Sequence, residues 1–155
     1  MGRTAITSAL HDELSVVLQL QPDAQKTRVA GRDFWVGHLH GREVVAVLCR
    51  VGKVAAATTA TVLIERFGVQ QMLFTGVAGG LYAGDGKPHT HVRVGDLVVA
   101  REFIQHDLDA SPIFPRYEVS SHAESQALRL ALPDALAVEM EGAALRWWSG
   151  GCNGY

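Results

Sequence analysis

Residues 44–74 read VVAVLCRVGKVAAATTATVLIERFGVQQMLF, and their apolar pattern changes twice. Val44-Val45-Ala46-Val47-Leu48-Cys49 is apolar without a break, as a central strand buried on both faces requires. Residues 53–67 are rich in alanine, hold neither glycine nor proline, and stop at Gly68, a natural C-cap. Met72-Leu73-Phe74 is again short and apolar, a second buried strand. Working outward, residues 34–39 predict a strand joined to the first at His40-Gly41-Arg42. Thr4-Ala5-Ile6 predicts a short strand, with Ser8 as the cap of the segment that follows. There Leu10, Leu14, Val17 and Leu18 recur on one helical face. Beyond Phe74 come a glycine-rich run (75–80), a polar loop (84–91), a strand over 92–100, another over 135–138, and a helix over 139–147. No internal repeat is evident. Strands alternating with helices imply an α/β fold, a mixed central sheet covered on both faces in a three-layer α/β/α arrangement.

Composition narrows the function classes. The chain has 155 residues, with 14 Lys+Arg against 16 Asp+Glu and a formal charge of −2. That length suits one domain. Nucleic acid is disfavoured as the main partner, because no net positive field exists to neutralise phosphates. The longest apolar run, Val44 to Cys49, is far short of the roughly 20 residues that cross a membrane. The N-terminus shows no secretory pattern. Cys49 and Cys152 lie far apart, which argues against a disulfide framework or a zinc site and for a reducing, cytoplasmic compartment. No metal and no cofactor are expected.

Two segments carry candidate chemistry. Thr75-Gly76-Val77-Ala78-Gly79-Gly80 directly follows a buried strand, where sheets of this class bind ligands and glycines allow close approach. Its glycines do not have the GxGxxG spacing, and taken alone the run reads first as a tight turn. Ala137-Val138-Glu139-Met140-Glu141-Gly142-Ala143-Ala144 places two carboxylates at a strand-to-helix junction. Being two apart, one can enter a pocket while the other caps N–H groups at the helix start. A carboxylate in such a pocket suits bidentate hydrogen bonding to vicinal hydroxyls, as on a ribose, although acidic residues are also common in any first helical turn. Glu13, beside an apolar helical stripe, reads by itself as a solvated helix residue. The pairs His38/His40 and His89/His91 lack accompanying Cys or carboxylate ligands and read as solvated. His106-Asp107 are neighbours whose side chains would diverge on a strand.

In combination the segments resemble the nucleoside phosphorylase/nucleosidase superfamily, and within it the 5′-methylthioadenosine/S-adenosylhomocysteine nucleosidases. The resemblance is carried in order by residues 6–13 (ITSALHDE), 50–57 (RVGKVAAA), 74–81 (FTGVAGGL), 94–99 with 106–109, and 137–144 (AVEMEGAA). It implies hydrolysis of the N-glycosidic bond of a purine nucleoside with release of adenine. Glu13 would then hold and deprotonate the attacking water. Glu141 would bond the ribose hydroxyls, Met140 would pack beside the sugar, and Val77, Ala78 and Gly79 would line the purine side. A positioned water and a nearby carboxylate both stabilise a ribose-cation-like transition state. The resemblance also implies a homodimer, with residues 113–115 (Ile-Phe-Pro) closing the partner's pocket.

The chain departs from the family pattern in two places. The acid that protonates the leaving adenine belongs to a Ser-Asp segment downstream of Glu-Met-Glu, and residues 146–155 do not contain it. A Gly-Asp-x-Phe loop expected between Tyr117 and Ala131 is replaced by the polar run SSHAESQ at 120–126. The expectation is therefore an incomplete domain over residues 1–145, with an internal deletion and an aberrant tail at 146–155. General acid catalysis is worth roughly 10²–10⁴-fold, so activity should fall accordingly. An uncovered sheet edge is expected as well. Two alternatives follow, a non-catalytic nucleoside-binding or interaction remnant and, because Arg50 near Gly52 could bind an anion, a purine nucleoside phosphorylase.

Overall fold

The computed structural model describes residues 2–81, 92–100, 103 and 137–141. Seven strands and two helices are defined there: β1 (Arg3–Ser8), α1 (His11–Gln19), β2 (Gln25–Val29), β3 (Arg32–Leu39), β4 (Arg42–Leu48), α2 (Lys53–Phe67), β5 (Val69–Phe74), β6 (Gly79–Gly80) and β7 (Ala137–Val138). They fall into two compact units. The first comprises the described residues up to Val77 together with Met140 and Glu141; the second runs from Ala78 to Glu139.

The first unit is a mixed five-stranded sheet in the order β2-β3-β4-β1-β5. β1 pairs in parallel with both β4 and β5, placing Ala5 opposite Val45 and Met72. β2-β3 and β3-β4 are antiparallel hairpins. Both turn on two residues with positive φ, Ala30 (49°) and Gly31 (74°), then His40 (49°) and Gly41 (75°). That is the type I′ geometry whose twist matches the flanking strands.

Side chains alternate across the sheet. Ala5, Val45 and Val47 share one face with Phe34, and these four fully buried residues pack with Leu63 of α2. The Phe34 and Phe67 rings stack at 4.7 Å, tying the middle of the sheet to the end of α2. Ala56 and Ala60 of α2 lie against Met72 and Phe74 of β5, small residues that let helix and strand approach closely. On the other face Ile6, Val44 and Ala46 are also buried, and α1 lies against β1 and β4. The chain crosses from β1 to β4 in one direction and from β4 to β5 in the other. Right-handed crossovers then set α1 and α2 on opposite faces.

Several expectations change. Ser8 is the last residue of β1, not a cap; its Oγ is buried with no hydrogen-bond partner among the described residues. The N-cap of α1 is Leu10. β2 was not expected, because Gln25-Lys26-Thr27-Arg28 is exposed and polar, as suits an edge strand. Residues 92–100 hold no assigned strand; a turn forms there, with the Asp96 N–H donating to the Arg93 carbonyl at 3.0 Å. Gly79–Gly80, read as a turn, pairs antiparallel with Ala137–Val138 in the second unit. Residues 139–141 are not helical. The remainder of the expected helix, the polar runs at 84–91 and 120–126, residues 106–107 and 113–115, and the tail lie outside the described residues.

Candidate functional site

The parallel strands β1, β4 and β5 end side by side. Backbone pairing continues just past two of these ends, where the Cys49 N–H donates to the Ser8 carbonyl and the Thr75 N–H to the Thr7 carbonyl, both at 2.9 Å. The loops leaving the three strands therefore start together. The helices after β1 and β4 depart to opposite faces, and such a switch point at the carboxyl ends is where open α/β sheets bind ligands.

Glu13 sits at the N3 position of α1 and turns back toward these loops. Its Oε2 accepts the backbone N–H of Ala9 (3.1 Å) and of Leu10 (2.9 Å), while Oε1 accepts the N–H of Val77 (2.9 Å) in the loop after β5. The Leu10 bond is half of a capping box, made by the N3 carboxylate on the N-cap N–H. Glu13 is thus a half-buried residue bridging two loops, not the solvated helix residue its local sequence suggests. Gly76 makes the bridge possible: a Cβ there would lie 2.9 Å from Glu13 Oε1 and 3.1 Å from its Cδ.

Glu141 is 5% exposed, and its Oε1 accepts the N–H of Gly52 at 2.7 Å. Gly52 is the N-cap of α2, so the second carboxylate also holds the N-cap N–H of a helix, although of α2 and not of a helix that follows it. Beside it, the Cys49 thiol donates to the carbonyls of Ser8 (3.2 Å) and Arg50 (3.3 Å). Burial, reinforced by the negative charge of Glu141, pushes that thiol up to about 12. Arg50 itself is exposed and takes a left-handed φ of 68°.

Among the remaining residues singled out from the sequence, Val77 (82%) and Met140 (48%) expose apolar side chains in the first unit. Ala78 and Gly79 belong to the second unit, Gly79 as part of β6. The geometry brings Glu13 and Val77 into direct contact. Gly52 and Gly76 were not recognised as positioning groups; the nearest signal was their presence in the glycine-containing runs RVGK and TGVAGG. His38 and His40 do not share a strand face, because His40 lies in the β3-β4 turn and the His38 ring pairs with Asp23 at 2.7 Å.

Known proteins agree with this architecture. A 5′-methylthioadenosine/S-adenosylhomocysteine nucleosidase of Oceanobacillus iheyensis is 40% identical over 106 residues, covering 68% of this chain and 43% of the relative. One from Shewanella denitrificans is 33% identical over 137 residues, covering 88% of the chain and 55% of the relative. An aminodeoxyfutalosine nucleosidase of Helicobacter pylori is 34% identical over 112 residues, covering 72% and 46%. The chain thus spans about half the length of the curated relatives it matches. Among solved structures, the S-adenosylhomocysteine nucleosidase of Streptococcus pyogenes in complex with 5-methylthiotubericidin superposes with a TM-score of 0.80 at 26% identity, covering 93% of this chain and 75% of that one. Residues 3–128 match the Phosphorylase superfamily. A mixed parallel-centred sheet, carboxylates at its strand ends and this match over most of the sequence agree, and the chain belongs to the Phosphorylase superfamily.

Proposed function

We propose that the chain acts on purine nucleosides, hydrolysing the N-glycosidic bond of 5′-methylthioadenosine or S-adenosylhomocysteine and releasing adenine. The observation that carries this is the placement of Glu13. A carboxylate offers roughly four acceptor sites, and three backbone N–H groups occupy three of them. Among the described residues the fourth is left for a water, on a carboxylate held too firmly to swing away. In the proposed step Glu13 takes a proton from that water as the water oxygen bonds C1′. The C1′–N9 pair leaves with adenine, which takes up a proton from solvent water, and Glu13 returns its own proton to solvent. Glu141 bonds the ribose hydroxyls, Met140 packs beside the sugar, and Val77 flanks the purine.

The aminodeoxyfutalosine nucleosidase relative supports a second substrate, since the same bond chemistry serves a nucleoside with a different 5′ group. A homodimer and a cytoplasmic location belong to the same proposal, supported by the kinship with bacterial nucleosidases.

The test is chromatographic measurement of free base released from methylthioadenosine, adenosylhomocysteine and aminodeoxyfutalosine. Release that Glu13→Gln lowers by about 10²-fold or more supports the proposal. Release from none of them, or release that Glu13→Gln leaves unchanged, overturns it. Release that requires phosphate would assign the chain to phosphorolysis instead.

A further inference from the structure

We infer that Gly52 is the positioning residue for Glu141, and that its backbone N–H sets the preference of the site for a ribose with both hydroxyls. The inference rests on the nucleoside reading above and deepens it.

Helix α1 supplies the contrast. The N–H of its N-cap, Leu10, is taken by a carboxylate three residues on, Glu13. In α2 the corresponding N3 residue is Ala55, whose side chain has no acceptor, and the N-cap is a glycine with no capping side chain. A Ser, Thr, Asp or Asn at the N-cap would ordinarily be favoured. Here the N–H of Gly52 is aimed instead at a carboxylate 89 residues away, at 2.7 Å. Gly52 can do this because its φ of 98° and ψ of 153° lie in a region that is essentially open only to glycine. An added Cβ would meet nothing within 4 Å, so the restriction is one of backbone conformation and not of space. The preceding turn is set by the left-handed Arg50, whose carbonyl accepts the Cys49 thiol at 3.3 Å. Local helix capping has been relinquished, and the freed donor fixes a nearly buried carboxylate at the positive end of α2.

A carboxylate fixed in this way presents one orientation to a pair of vicinal hydroxyls. Loosened, it would still attract a nucleoside but would discriminate less between a ribose and a 2′-deoxyribose, because the unpaired-acceptor penalty against the deoxy sugar depends on the carboxylate being unable to move.

The test is titration of the full chain with methylthioadenosine and with its 2′-deoxy counterpart, giving a ratio of dissociation constants. Two variants are compared with the wild type. Gly52→Ala forbids the present turn. Ala55→Glu gives α2 its own N3 carboxylate to compete for the Gly52 N–H, and should leave the helix at least as stable. The expected result is a wild-type ratio favouring the ribose by roughly tenfold or more, reduced about three- to tenfold in both variants. A merely structural role would lower the melting temperature of Gly52→Ala and leave the ratio of Ala55→Glu unchanged. An unchanged ratio in Ala55→Glu beside a discriminating wild type overturns the role of Gly52 alone. A wild type that binds neither nucleoside overturns this inference together with the function on which it rests.

Discussion

The Glu13 carboxylate and the Val77 backbone N–H, 64 residues apart in sequence, meet at 2.9 Å across the ends of β1 and β5. The bond is made between a helix that follows β1 and a loop that follows its parallel neighbour β5. It therefore fixes the candidate base relative to the glycine-rich run, and it depends on the absence of a side chain at Gly76.

Gly76→Ala is accordingly a test of geometry, not of chemistry. The added Cβ would stand 2.9 Å from Glu13 Oε1, so the carboxylate must shift. A misplacement approaching about 1 Å can lower turnover by about 10²-fold. Steady-state measurement of base release should show a fall in kcat, with a melting temperature within a few degrees of wild type. Full activity in Gly76→Ala would show that the Glu13–Val77 bridge does not set the reactive geometry.

Removing the carboxylate also removes a cap. Glu13→Ala leaves the N–H groups of Ala9, Leu10 and Val77 without their protein acceptor. Loss of a helix cap costs about 1 kcal/mol, and for a chain of this size that lowers the melting midpoint by roughly 2–4 °C. Glu13→Gln keeps one acceptor oxygen and should fall between the two. Calorimetry of the three proteins checks the order.

How much of this was legible in the sequence follows from the range of each interaction. The hairpin at His40-Gly41 and the stop at Gly68 are local, and each is written in one or two residues with positive φ. β2 is also local but was hidden, because a polar edge strand has no apolar alternation to read; the Ala30-Gly31 turn was its only mark. Ser8 misled because a serine before an amphipathic stretch has the chemistry of a cap, yet the strand register carries it to a pairing with Leu48. Resemblance, not local pattern, singled out Glu13, whereas the local junction marked Glu139 and Glu141 together and resemblance chose between them. The donor to Glu141 lies 89 residues upstream, and no window of sequence contains both partners.

Asp23 gives an acid-dependent prediction. Its Oδ1 accepts the His38 backbone N–H (3.0 Å) and its Oδ2 faces the His38 ring (2.7 Å). These bonds, the backbone one first, hold the carboxyl below its ordinary 3.8. A depressed value means the stabilisation is fully present above 3.8 and is lost as pH falls through the lower folded value. Melting midpoints of wild type and Asp23→Asn should therefore differ near pH 6 and converge as the pH drops below about 4. A constant difference across that range would contradict the assignment.

Cys49 predicts the opposite limb. Its thiol is raised from 9.0 to about 12, so the folded state retains a proton that the unfolded chain releases. The stabilisation is complete below pH 9 and declines as pH rises from there toward 12. Between pH 8 and pH 10.5 the wild-type melting midpoint should fall more steeply than that of Cys49→Ala. Parallel declines would show that the thiol does not control alkaline stability.

The most direct measurement is the melting midpoint of the purified chain with and without excess methylthioadenosine. A ligand that binds only the folded state, at about 100 times its dissociation constant, adds roughly 2.7 kcal/mol. That corresponds to a rise of several degrees for a chain of this length. The wild type should show such a rise, and Glu141→Gln should lose it. A midpoint that the nucleoside leaves unmoved, or moves equally in Glu141→Gln, would contradict the claim that the carboxylates at these strand ends form a nucleoside site.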